Sequence, residues 1–199
     1  SHLSKVYVEK LMEMYAHVRG LRCVAARLGL VYGLGPVMKT DPRFMTAPNR
    51  FCLQAARGET LRVDASALHP TGLIHLDDAA RGLIALAHLP GEGFAPANLV
   101  GETTSVARVA ELGARRGLDV RVEMPDARPE GEGCSFESAS SRAGFLPRTS
   151  LERGLEEVLD HFLAHAGHSS PERAPFEANS PEGSGPGRGI GGPRREEGR

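Results

Sequence analysis

The stretch TGLIHLDDAARGLIALAHL, residues 71–89, contains the pattern on which the fold assignment depends. It begins with a short apolar run, continues with two carboxylates, and ends with apolar residues at helical spacing. Asp77 or Asp78 stands at the predicted helix N-terminus, where a carboxylate accepts hydrogen bonds from free backbone N–H groups and interacts favourably with the helix dipole. The stretch therefore predicts a strand that leads directly into a helix.

Strands and helices alternate on both sides of this stretch. Residues 3–18 carry apolar side chains three and four positions apart and predict a helix that Gly20 ends. The apolar run Cys23–Leu28 is typical of a strand buried on both faces of a parallel sheet. Further predicted elements are helices at 47–57, 106–116 and from 151 onwards, the last two capped by Ser105 and Ser150, and strands at 60–63, 97–100 and 119–124. The order of elements predicts an α/β fold.

Composition restricts the class of protein. The chain has 199 residues, 40% of them hydrophobic, and a net charge of -1, which suits one globular domain or a domain with a tail. The near-neutral charge gives no electrostatic reason to expect nucleic acid as a partner. No apolar run approaches the roughly 20 residues that span a bilayer, so no membrane partner is expected.

The cysteines indicate a reducing environment. Cys23, Cys52 and Cys134 are scattered and odd in number, which fits neither a disulfide framework nor a metal site. We therefore expect a cytoplasmic protein without a bound metal.

The C-terminal part of the chain differs in composition from the rest. Residues 167–199 are rich in Gly, Pro, Ser, Glu and Arg and nearly free of large apolar residues. Such a segment cannot bury enough surface to offset its ordering entropy, so it is predicted to be disordered. The predicted folded domain is 1–166.

Four stretches, in the family's own order, resemble the extended short-chain dehydrogenase/reductases, the NAD-dependent epimerase/dehydratase family. SKVYVEKL is similar to the helix that begins in the YxxxK motif, and RLGLVYGLGP to the R-P-x-N-V-Y-G-P strand and loop. LIHLDDAARGLIALA is similar to F-I-H-V-D-D-V-A-x-A, and SRAGFLPRTSLERGLEEVLDHF to the segment that closes the domain. The resemblance covers residues 1 to about 165. It implies the C-terminal part of a doubly wound, Rossmann-type parallel sheet with a small substrate-binding lobe.

The resemblance assigns a chemical role to Lys5. In this family a Tyr is the general acid/base, and a Lys four residues later lowers the Tyr pKa and hydrogen-bonds the nicotinamide ribose. Lys5 matches that Lys, but Ser1 stands at the Tyr position, and its hydroxyl has a far higher pKa and a shorter reach. Tyr7 does not restore the motif, because Leu11 follows it by four residues. Ser1 is either the natural residue of a degenerate site or the boundary of a truncated chain.

The strand and loop at 27–36 supply further site residues. Leu28, Gly29 and Leu30 match the family residues that approach the cofactor or the substrate. Plain core positions are an equally good interpretation of the two leucine side chains. For Arg27 we favour a structural ion pair.

Two other positions concern the substrate. Thr71 stands where nucleotide-sugar enzymes of the family often carry an Arg that holds a phosphate, and Leu30 stands where they often carry Asn. These departures favour a smaller or more apolar alcohol or ketone. Arg43 and Phe44 lie in the predicted substrate-side loop 34–46. For His75 we favour a buried, hydrogen-bonded side chain over a catalytic one.

The resemblance implies a fragment of an NAD(P)-dependent epimerase, dehydratase or oxidoreductase that acts on a hydroxyl- or keto-bearing small molecule. The family's G-x-x-G-x-x-G phosphate turn has no counterpart in the sequence, so NAD or NADP is expected in the full-length parent and not on this chain alone. A homodimer through the 3–18 helix is expected in that parent. The alternative is a non-catalytic or regulatory relic of the same fold.

Overall fold

The computed structural model describes residues 2–39, 41–115, 120–126 and 145–165 of the chain. All of them lie in the first of two units, Ser1–Ser169 and Ser170–Arg199. Ser1, Cys134 and the predicted tail at 167–199 lie outside the described residues. The domain boundary at 166 and the disorder of the tail therefore stay predictions.

The described residues form five helices and seven strands. The helices are α1 (His2–Arg19), α2 (Ala47–Ala56), α3 (Leu76–His88), α4 (Val106–Ala114) and α5 (Leu151–His165). The strands are β1 (Cys23–Leu28), β2 (Leu30–Tyr32), β3 (Leu61–Arg62), β4 (Pro70–His75), β5 (Phe94–Leu99), β6 (Glu102–Ser105) and β7 (Val122–Glu123). Every predicted helix and strand is confirmed within a few residues, including the caps, since Ser105 and Ser150 accept hydrogen bonds from Arg108 N and Arg153 N. The sequence pattern does not predict β2 and β6 as separate strands.

Parallel pairing dominates the sheets. β1 pairs with β5 in parallel from Cys23 opposite Phe94 to Leu28 opposite Leu99. β4 lies between β2, to which it is parallel, and β6, to which it is antiparallel. The two-residue strands β3 and β7 form a third parallel pair. The expected α/β class with parallel sheets is therefore confirmed.

Strand β4 is buried on both faces and joins two apolar clusters. Leu73 packs with α2, α4 and α5, in a cluster that includes Phe51 and Val158. Its neighbour Ile74 packs in the other cluster, with Leu99. Successive side chains of a strand point to opposite faces, so these two adjacent residues anchor β4 in both cores.

Strand β1 is less buried than its composition predicts. Ala25 is buried, whereas Arg27 and Leu28 are exposed. In the described part of the chain β1 has a paired strand, β5, on one side only. The expectation that β1 is buried on both faces is therefore wrong for its C-terminal half.

The start of α3 also differs from the prediction. Its N-cap is His75, whose Nδ1 accepts a hydrogen bond of 3.3 Å from Asp77 N. Asp78 is only 1% exposed and accepts hydrogen bonds from Arg148 N at 3.1 Å, from Thr149 N at 3.0 Å and from the Arg81 guanidinium. Neither aspartate is the N-cap, and Asp78 instead fixes the chain that precedes α5.

Candidate active site

A groove separates the N-terminal part of α1 from β1. Its volume is about 660 Å³, and it is called the α1–β1 groove below. Lys5 lines it beside the apolar side chains of Val8 and Met12, and β1 supplies the opposite wall with residues 24–28. Lys5, the predicted ribose-binding residue, thus faces the strand whose end carries Leu28.

An ion pair joins the two walls of this groove. Arg27 donates from Nε to one Glu9 oxygen at 2.9 Å and from a terminal nitrogen to the other at 2.5 Å. The hydrogen bonds from Arg27 hold the pKa of Glu9 below its usual value. Two of the three guanidinium nitrogens tie α1 to β1, which agrees with the structural role favoured for Arg27.

A second groove of about 390 Å³ lies where β1 ends and β2 begins, and we call it the β1–β4 groove. It brings together Leu28, Gly29, Leu30 and Thr71, which are four of the predicted site residues. Leu28 is 43% exposed and therefore is not a core residue, whereas Leu30 packs against the larger apolar cluster. Because Arg27 and Leu28 also line the α1–β1 groove, the two grooves meet at the end of β1.

Gly29 allows the two sheets to approach each other. A Cβ at this position would lie 2.7 Å from Gly72 O, which is too close for any side chain. Gly29 therefore contributes only backbone atoms to the lining of the β1–β4 groove.

A third cavity, of about 240 Å³, lies between the end of β2 and the start of α2, and we call it the β2–α2 pocket. Phe44 lines it. Arg43 does not line this pocket. Its guanidinium forms an ion pair with Asp41, in which Nε lies 3.0 Å and 3.1 Å from the two carboxylate oxygens. The two predicted residues of the substrate-side loop thus differ in environment.

The side-chain amide of Asn49 fixes the base of this pocket. Asn49 donates from Nδ2 to Gly33 O at 2.9 Å and accepts from Gly33 N at Oδ1 at 3.0 Å. Gly33 has a φ of +116°, a conformation that favours glycine. Sequence reasoning misses this pair, because only the Gly-rich character of the loop hints at an unusual backbone.

His75 lies behind the site and not in it. The side chain is 3% exposed and packs edge to face on Tyr32, with ring centroids 5.5 Å apart. Its Nδ1 caps α3, while its Nε2 has no hydrogen-bond partner among the described residues and lies 3.8 Å from a Glu157 oxygen. Burial raises the pKa of Tyr32 well above the usual range, so this phenol cannot act as a base near neutral pH.

The described ranges contain neither a cluster of metal-binding side chains nor a membrane-spanning helix. No three His, Cys, Asp or Glu side chains of the described ranges lie close enough together to hold a metal ion. None of the helices described above is long and apolar enough to cross a membrane.

The chain has relatives of known sequence. No family model matches it. The chloroplastic UDP-sulfoquinovose synthase of Spinacia oleracea is 28% identical over 180 residues, which cover 80% of this chain and 37% of that protein.

The chain also has neighbours among solved structures. UDP-glucose 4-epimerase of Thermotoga maritima has a TM-score of 0.63 at 21% identity, covering 82% of this chain and 53% of that one. WbmF of Bordetella bronchiseptica, solved with NADH, has a TM-score of 0.63 at 25% identity, covering 83% and 52%. MoeE5, solved with UDP-glucuronic acid and NAD, has a TM-score of 0.62 at 26% identity, covering 82% and 55%.

These relatives are short-chain dehydrogenases/reductases of the NAD-dependent epimerase/dehydratase type, so the resemblance found in the four sequence stretches is confirmed. The chain spans 37% of the curated relative and about half of each structural neighbour.

Proposed function

We propose that residues 1–166 form part of an NAD(P)-dependent epimerase, dehydratase or oxidoreductase that acts on a hydroxyl- or keto-bearing small molecule. One observation carries the proposal: the groove that contains Lys5 meets the groove that contains Leu28, Gly29, Leu30 and Thr71. A residue matched to cofactor binding and residues matched to substrate approach thus line neighbouring grooves that share Arg27 and Leu28. Relatives solved with NADH or with NAD and UDP-glucuronic acid support the same assignment.

The residues present fit the nicotinamide end of the cofactor. The Lys5 ammonium would donate hydrogen bonds to ribose hydroxyls, and the exposed Leu28 side chain offers an apolar surface to a flat ring. When bound, the nicotinamide accepts or returns a hydride. The described residues offer no glycine-rich turn for the pyrophosphate, so those contacts need further polypeptide.

Proton transfer also needs a group that the sequence lacks. Lys5 can lower the pKa of a nearby phenol through its positive charge, but Ser1 stands at the Tyr position. A serine hydroxyl remains protonated near neutral pH and cannot take over the phenol's role. We therefore propose that this chain alone is inactive.

We expect no binding of NAD or NADP to the 199-residue chain tighter than millimolar, because the pyrophosphate contacts are missing. Isothermal titration calorimetry of the purified chain with each cofactor measures this. Lys5→Met is the matched variant. Any weak heat of binding that this variant loses is the heat of binding at the nicotinamide end of the cofactor. Micromolar affinity would contradict the need for further polypeptide.

The native length of the protein decides between the enzyme and a second candidate. The intact mass of the polypeptide made by its own cell should exceed 21.3 kDa, with an additional N-terminal segment and with a Tyr in place of Ser1. The second candidate, a non-catalytic relic of the fold, is favoured by Ser1 itself. A native mass of 21.3 kDa would support that candidate instead.

We further propose that α1 forms a homodimer contact in the parent enzyme. Leu3, Tyr7, Met14 and Val18 are all exposed, and their spacing places them along one side of α1, on which Lys10 is the charged residue. An apolar stripe of this kind is typical of a helix that packs against a partner helix.

Charge on this stripe is expected to weaken self-association of the chain. Tyr7→Lys combined with Val18→Lys should raise the dimer dissociation constant at least about tenfold, because it places cations in a contact that is apolar. Sedimentation velocity over a concentration series measures the change. Leu146→Lys, which also alters an exposed apolar residue, is the control. If both substitutions leave the dissociation constant unchanged, the self-association is better explained by the edge of β1 that has no paired strand among the described residues.

We also propose a cytoplasmic location, which the free thiols Cys23 and Cys52 support.

A further inference from the structure

The β2–α2 pocket lies at the carboxyl ends of the parallel strands β2 and β4, where ligands bind in open α/β sheets. Its volume of about 240 Å³ is smaller than a site for a whole drug-sized ligand, which spans roughly 300–1,000 Å³. The pocket therefore accommodates one group of a molecule, and a complete nucleotide exceeds it. Its apolar lining residues are Val31, Val37, Met38, Phe44, Met45 and Leu76.

Four of the residues that line this pocket have polar side chains, namely Tyr32, Lys39, Thr46 and Asn49. The Asn49 amide is paired with both backbone groups of Gly33. Lys39 is the single charged residue among those that line the pocket, and Arg43 is held by Asp41. These lining residues supply neither several positive charges nor a guanidinium fork, the side-chain groups that bind a diphosphate most strongly.

The opening of the pocket is apolar as well. Val37 is 87% exposed and Phe44 is 65% exposed, and both belong to the loop that connects β2 with α2. A single exposed apolar side chain is ordinary on a protein surface. Here Val37 and Phe44 lie next to other apolar residues that line the pocket. The pocket and its opening therefore form one apolar surface that a ligand can cover.

We propose that the β2–α2 pocket binds an uncharged apolar substituent of the substrate, either a single ring or a branched alkyl chain. The inference rests on the proposed function and deepens it by naming the substrate class. That class is alcohols or ketones that carry such a substituent.

Methionine methyl resonances test the proposal on the 199-residue chain. Of its five methionines, Met38 and Met45 line the pocket, whereas Met124 lies on another part of the chain. The chain labelled with ¹³C at the methionine methyls is titrated with cyclohexanol and, separately, with UDP-glucose. Cyclohexanol is expected to shift Met38 and Met45 saturably and to leave Met124 unchanged. UDP-glucose at equal concentration is expected to leave all three unchanged.

Matched variants distinguish the pocket from general apolar adsorption. Val37→Gln with Phe44→Gln should weaken cyclohexanol binding about fivefold, since both side chains are exposed and contribute only apolar area. Ile84→Gln, which alters a similarly exposed apolar residue on α3, should leave it unchanged. The proposal is overturned if cyclohexanol gives no saturable shift, or if UDP-glucose shifts Met38 and Met45 in a way that Lys39→Met abolishes.

The result is independent of the proposed enzymatic activity, because the measurement requires neither cofactor nor turnover. Saturable cyclohexanol binding together with a native protein that lacks NAD(P)-dependent activity would refute the proposed function alone. Activity without cyclohexanol binding would refute the pocket inference alone.

Discussion

The Asp78→Asn variant is expected to lose about 3 kcal/mol of its free energy of unfolding, because the change breaks a buried charge network. The carboxylate accepts from Arg148 N, Thr149 N and the Arg81 guanidinium. An asparagine keeps the shape but turns one acceptor into a donor that faces other donors. Urea denaturation followed by circular dichroism measures the loss. Asp77→Asn, an exposed neighbour in the same helical turn, should cost less than about 1 kcal/mol.

The same carboxylate makes stability depend on pH. Burial opposes the charged form of Asp78, but the N–H groups of Thr149 and Arg148 and the charge of Arg81 outweigh it, so the pKa of Asp78 lies below its usual value. The stabilisation is complete above the unfolded pKa of about 3.9 and is lost as the pH falls through the lower native pKa. The Asp78→Asn variant should show a flatter fall of stability in this acidic window. An equally steep fall would show that other carboxylates dominate acid unfolding.

The Gly154→Ala variant is expected to lose about 2 kcal/mol, although alanine is the better helix former. A Cβ at this position of α5 would lie 2.7 Å from Tyr32 Cε2 and 3.0 Å from His75 Cδ2. Both rings are buried and packed on each other, so neither can move aside cheaply. Thermal and urea unfolding followed by circular dichroism measure the change.

Gly113→Ala is the matched control for this steric argument. Gly113 also lies within a helix, but a Cβ there would meet no atom of the described residues within 4 Å. The variant should therefore gain about 0.5–1 kcal/mol from the lower backbone entropy of its unfolded state. A similar gain for Gly154→Ala would refute the close packing of α5 on Tyr32 and His75.

Local patterns predict all five α-helices and five of the seven strands, and they miss β2 and β6. The apolar spacing of 3–18 and the carboxylates after the run at 71–76 place α1 and α3 within one or two residues. The role of Asp78 was not predictable from such patterns, because its backbone partners lie 70 and 71 residues further along the chain. Between adjacent carboxylates, tertiary contacts decide which one is buried.

The candidate site also combines residues that the sequence predicts with long-range contacts that it does not predict. The family resemblance singled out Lys5, Leu28, Gly29 and Thr71. In the structure these residues line two adjoining grooves. Binding of cofactor or substrate by these residues stays a prediction. The pairing of Glu9 with Arg27 joins residues 18 positions apart, and an acidic residue on a helix gives no sign of which cation it meets.

The amide of Asn49 has consequences for how this fold can change. A side-chain amide offers the same kinds of donor and acceptor as a peptide unit. The Asn49 amide therefore satisfies the backbone N–H and C=O of Gly33 as a neighbouring strand would. The two residues are 16 positions apart and close the intervening chain into a ring. Because doubling the length of such a ring costs only about 0.6 kcal/mol, insertions between the two residues are expected to cost little stability. Leu34, Met38 and Met45 pack against the larger apolar cluster, so the tolerated insertions are expected to lie between these anchoring residues.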